Sequence, residues 1–98
     1  MIYRFVKLSI QEEHCQTFID IVKKVQPLIL RFDGCTFLQL VQDLDQPSKF
    51  MTFSHWDSEA DLDSYRNSEL FIGFWKQVKP LFSEKAEAWS SSVLIDNL

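Results

Sequence analysis

Ninety-eight residues suit one domain that buries roughly two-thirds of the surface its unfolded chain exposes, so residues 1–98 are expected to fold as a single unit. A net charge of −4 with scattered Lys and Arg argues against nucleic acid as a partner, because phosphate binding needs clustered cations. Two glycines leave no room for a phosphate-cradling loop, and no apolar run reaches bilayer length or forms a signal-peptide core, so the expectation is a cytoplasmic protein without a membrane partner.

Aromatic residues make up 14% of the chain, with nine Phe and three Trp. That is more ring surface than a small core hides, which points to a second buried surface or to an apolar ligand pocket.

In chain order, Ile2 to Ile10 alternates as a strand, with Tyr3, Phe5, Lys7 and Ser9 on one face and Ile2, Arg4, Val6 and Leu8 on the other. Ser9 and Glu12 have the spacing of a capping box, predicting a helix start. The helix carries its apolar stripe at Cys15, Phe18, Val22, Val25, Ile29 and Phe32. Pro27 predicts a kink or a tightened last turn, and Gly34 supplies the positive φ that ends it.

Cys35 to Gln42 and Phe50 to Trp56 alternate again, joined by the polar turn Asp43 to Lys49, and read as an antiparallel hairpin. Asp57, Ser58 and Asp61 restart a helix carrying Leu62 and Tyr65, which Asn67 and Ser68 interrupt. A second segment follows with Phe71, Phe74, Trp75, Val78 and Leu81 as its stripe, closed by Pro80. Lys85 to Ile95 reads as the last strand.

The order β-α-β-β-α-β is that of the ferredoxin-like α+β fold, with a four-stranded antiparallel sheet. Helices shield one face of such a sheet, yet here both faces carry large apolar side chains: Met51 and Phe53 oppose Phe50 and Trp56, and Tyr3 and Phe5 oppose Val6 and Leu8. Burying the second face against a twofold copy at about 25 cal/mol per Å² favours a homodimer. Cys15 and Cys35 lack a CxxC partner or a His at metal spacing and are expected to be small buried thiols; no metal site is expected.

The spacing Trp56-x-Ser58, Leu62, Tyr65 and Ser68-x-x-Phe71 resembles the antibiotic biosynthesis monooxygenase (ABM) family of dimeric α/β-barrel proteins. The first strand, the long first helix, the Gly34-Cys35 turn and the hairpin also fall where that family has them. The resemblance implies a monooxygenase that oxidises a small aromatic or quinol-like substrate with O2, without metal, flavin or haem, the substrate supplying the electrons. Such a site needs apolar and aromatic walls with a few placed polar groups. The chain also resembles the haem-degrading branch, which uses an Asn on the first strand, a Trp on the second helix and a His further along it. Tyr65 stands at that Trp position and Trp75 at that His position, and the first strand has no Asn, so haem loses its ligand.

These positions make His55 and Tyr65 the catalytic candidates, His55 as a general base and Tyr65 as a hydrogen-bond donor to a substrate oxygen. Trp75, Phe71 and Trp56 are the substrate-binding candidates, with Trp75 stacking on the ring. Each has a structural alternative: His55 as a strand-end ring in solvent, the aromatic residues as ordinary core. His55 and Trp56 are neighbours on a strand, point to opposite faces and cannot line one pocket together. Arg4, Lys7 and Arg66 could complement an anionic substrate, although isolated charges usually mark solvated faces, and Asp57, Glu59, Asp61 and Asp63 fit a helix start. A non-catalytic dimeric barrel that binds a small hydrophobic ligand, or serves as an interaction module, would carry the same pattern.

Overall fold

A computed structural model describes residues 1–98. The strands are β1 (Ile2–Ser9), β2 (Cys35–Gln42), β3 (Lys49–Trp56) and β4 (Glu87–Ser92), and the helices are α1 (Cys15–Leu30), α2 (Glu59–Arg66) and α3 (Glu69–Val78). The strands form one antiparallel sheet in the order β2-β3-β1-β4, which is the expected ferredoxin-like topology. No helix is long and apolar enough to cross a membrane.

Ser9 does not cap the first helix as its spacing to Glu12 suggests. Pairing with Lys49 holds it at the end of β1, where its hydroxyl accepts from Lys49 Nζ at 2.8 Å and donates to Glu84 Oε2 at 3.4 Å. The chain leaves the sheet through Ile10 and Gln11, and a single 3-10 turn (Glu12–His14) leads into α1 without a side-chain cap. Phe18, Val25 and Ile29 are the buried residues of the α1 stripe. Pro27 cannot donate to the carbonyl one turn back, and the helix end tightens as expected, with Arg31 N–H bonded to Leu28 O at 3.3 Å.

Gly34 adopts φ +87°, and a side chain there would run into that of Asp61 at the start of α2. The same turn holds β3 in place, since Gly34 O accepts from Asp57 N–H at 2.8 Å. Gly34→Ala is expected to destabilise the protein by about 1–3 kcal/mol, visible as a lower urea midpoint at unchanged m.

The two serines of the sequence motif are helix caps. Ser58 Oγ accepts from Asp61 N–H and Ser68 Oγ from Phe71 N–H, each at 3.1 Å, which satisfies donors that a helix start leaves unpaired. Two consecutive caps break the second helical region into α2 and α3 and aim their apolar faces at the sheet. Pro80 then sits in a 3-10 turn, Lys79–Leu81, that ends α3.

The last strand is shorter than its sequence pattern. Ser92 pairs with Ile2, so β1 has no paired residue left to receive Val93 to Ile95; at the other end the ladder stops at Glu87 opposite Lys7.

All three helices pack on the face carrying Val6, Leu8, Phe50 and Trp56. The core there divides into two clusters. Val25, Ile29, Cys35, Trp56, Leu62 and Tyr65 form one, and Leu8, Ile10, Phe18, Phe50 and Val78 the other.

Candidate functional site

A cavity of about 490 Å³ lies between the helices and the sheet, where the two core clusters face each other. That volume falls in the usual range for small-ligand sites, roughly 300–1,000 Å³. The walls are largely apolar: Val6 and Leu38 from the sheet, Tyr65 from α2, Phe71 and Trp75 from α3, and Trp56 at the end of β3. Four of the five residues singled out from the sequence, Tyr65, Trp56, Phe71 and Trp75, are thus on one wall system.

Tyr65 is buried, stacked on Trp56 at 4.9 Å between ring centroids and met edge-on by Phe71 at 5.2 Å and Phe32 at 5.5 Å. Burial pushes its phenol well above the ordinary value, with a smaller push from Cys35, so Tyr65 is a protonated donor throughout the neutral range. Trp56 is only 1% exposed, and its Nε1–H donates to Ser54 Oγ at 3.0 Å, so it combines packing with wall. Trp75 lies parallel to Phe71 at 5.6 Å and touches Phe82 edge-on.

A phenol raised on folding contributes stability that is complete below its unfolded value, near pH 10, and is lost as pH climbs through the folded value. The buried Cys35 thiol, also raised by desolvation, acts with the same sign from about pH 9 upward. Urea midpoints measured from pH 8 to 11 are therefore expected to fall with pH, and Tyr65→Phe is expected to make the fall above pH 10 shallower.

His55 does not join this site. The pleat turns it to the outer face of β3, opposite Trp56. It is not a solvent-exposed strand-end ring either: it stacks on Tyr3 at 4.1 Å and 5°, with Phe37 and Phe53 against its edges and faces, and its Nε2 is buried without a hydrogen-bond partner. Phe53 is the hub of this second aromatic cluster, contacting Tyr3, Phe5, Phe37 and His55, and Trp89 extends it across Phe5. No helix covers this face. The large apolar side chains expected there are present.

The polar part of the cavity wall was undervalued from sequence. Asp63 and Arg66 on α2, with Asn67 at its C-cap, line up at three- and four-residue spacing, and Arg4 on the inner face of β1 lines the same cavity. Arg66 pairs with Asp63 at 3.8 Å, and Arg4 Nη1 donates to Ser90 Oγ on β4 at 3.1 Å. Burial, then the charge of Arg66, pull the Arg4 guanidinium below its ordinary value, and Asp63 opposes them. Lys7 is not part of this group; it lies on the outer face and pairs with Glu87 at 3.8 Å. The period-2 pattern of β1 placed Arg4 on the inner face, a signal that could have been weighed more heavily. No three His, Cys, Asp or Glu side chains gather as a metal-binding set, and both cysteines are free thiols, Cys35 buried and Cys15 partly so.

Solved structures share the whole fold. A Nitrosomonas europaea protein provisionally named an antibiotic biosynthesis monooxygenase superposes with a TM-score of 0.89 at 15% identity, over 97% of this chain and 100% of its own. A conserved protein from Methanosarcina mazei Go1 gives 0.87 at 22% identity, over 93% and 91%. A Mycobacterium tuberculosis protein gives 0.89 at 15% identity, over 99% and 98%. No curated protein matches the sequence. The sequence profile of the family described as antibiotic biosynthesis monooxygenase matches residues 1–77, a span that includes Tyr65, Phe71 and Trp75.

Proposed function

The chain belongs to the antibiotic biosynthesis monooxygenase family, and from that premise we propose that it oxidises a small aromatic or quinol-like substrate with O2 in the cavity between the helices and the sheet. The observation that carries this reading is Tyr65: a protonated phenol on the wall of an apolar chamber, braced by Trp56 and Phe71 and without a protein group bonded to its hydroxyl. A planar ring entering beside Trp75 would meet aromatic surface and a donor for its oxygen. Charge that develops on that oxygen as the ring is deprotonated is then stabilised where little water competes. With an anthrone, two C–H bonds of the methylene break, one oxygen atom forms the new carbonyl, and the other leaves as water with the two hydrogens, so the substrate supplies all four electrons.

One observation favours the rival, a barrel that binds its ligand without turnover. With His55 on the other face, Asp63 is the only carboxylate on the cavity wall and no imidazole is present there to take a proton.

Oxygen consumption with a panel of anthrones and naphthoquinols separates the two. Turnover is expected, falling at least about tenfold when Tyr65 and Trp75 are both replaced by Phe. Absence of uptake across the panel, or uptake that survives the double replacement, overturns the enzyme reading.

The outer aromatic face is proposed to pair with a second copy of the chain. Support comes from the rings of Phe5, Phe53 and Trp89 on a face without helices, and from the unpartnered Nε2 of His55 among them.

A further inference from the structure

The charged residues on the cavity wall are Arg4, Asp63 and Arg66: two cations and one anion, one excess positive charge in a chain whose net charge is −4. The side chains of Arg66 and Asp63 are 48% and 66% exposed, so this group marks where the cavity opens to solvent. Asp63 is committed to Arg66. Arg4 has only the neutral Ser90 hydroxyl as a hydrogen-bond partner, which leaves most of its donors free. Holding two guanidinium groups near one another beside an apolar chamber is unfavourable unless an anion neutralises the surplus, and a guanidinium fork matches the two oxygens of a carboxylate.

Resting on the aromatic-substrate reading above, we infer that the natural substrate is a planar aromatic compound bearing a carboxylate, which Arg4 and Arg66 hold at the cavity opening while the ring lies between Trp75 and Tyr65. The arginines select the ligand and fix the end from which it enters; they take no part in oxygen chemistry. Asp63 lies 3.8 Å from Arg66 and, as a like charge to the ligand, favours an anion that reaches both guanidinium groups.

The test compares 2-naphthoate with 2-naphthamide, which share ring and shape and differ in charge, by isothermal titration calorimetry against the full chain. The carboxylate is expected to bind about tenfold more tightly, with the difference shrinking as salt is raised. Arg4→Gln and Arg66→Gln are each expected to remove most of that preference, weakening naphthoate much more than naphthamide, whose retained binding also shows that the chamber is intact. Arg66 lies at the surface, so its variant remains informative if Arg4→Gln fails to fold. Equal binding of the two compounds by the unaltered protein, or a preference that survives in the variants, overturns the inference and leaves the aromatic-substrate reading standing. Binding of neither overturns both.

Discussion

Phe53→Asp is expected to convert the proposed dimer into a monomer, weakening association by at least about 100-fold in sedimentation equilibrium. Phe53 contacts Tyr3, Phe5, Phe37 and His55 at centroid distances of 5.5, 5.0, 5.7 and 5.0 Å, so a carboxylate there stands in the middle of the outer aromatic face. A lone charge buried in an interface without a partner costs several kcal/mol, and each 1.4 kcal/mol is tenfold in Kd. Removing the ring could also weaken the sheet. Trp89→Glu guards against that, because Trp89 is 43% exposed on the edge strand and its loss leaves the core intact. Both variants as folded monomers support a sheet-to-sheet dimer; a protein that is monomeric before any substitution, or dimeric after both, contradicts it.

Trp56→Ala is expected to cost about 3–5 kcal/mol, a large share of the total stability of a domain this small. Trp56 is only 1% exposed, pairs with both Ile2 and Cys35 across the sheet, and stacks on Tyr65. Truncation merges its space with the neighbouring cavity and strips the buried Ser54 hydroxyl of its donor. Trp56→Phe keeps a ring against Tyr65 and should cost markedly less. Urea midpoints measure both; a loss below about 1 kcal/mol for the alanine variant would mean that the site collapses around the change and that Trp56 does not shape the chamber.

Much of this was legible in the residues because strands and helices have different periods. Alternation in Cys35 to Gln42 and Phe50 to Trp56 placed β2 as observed and β3 within one residue, and it separated Phe53 from Trp56. Ser58 announced a helix start and Ser68 an interruption; both serines prove to be caps, so the interruption is the start of α3. What failed depended on the sheet as a whole. Ser9 has a cap's spacing to Glu12, but the ladder to Lys49 claims it first. The pattern through Ile95 suits a strand, yet β1 has no partner to offer beyond Ile2.

The candidate site divides along the same line. Tyr65, Phe71 and Trp75 were selected from a helical stripe and family positions, and all three line the cavity. His55 was placed near them by its chemistry, while the pleat that sends Trp56 inward sends His55 outward. Arg4 and Arg66 are 62 residues apart in number; with Lys7 they were offered as complements to an anionic substrate, but isolated charges weighed towards solvated faces. Only the tertiary fold, which sets α2 against β3 and α3 while β1 pairs with β3, gives them a shared cavity.

A crystal structure of the protein with bound 2-naphthol tests most directly whether function resides in the inner chamber. The ring is expected between Trp75 and Tyr65, with its oxygen within hydrogen-bond reach of the Tyr65 hydroxyl. A ring seated instead on the outer face against Phe5 or Trp89, with the inner chamber filled by rearranged side chains, would contradict the account.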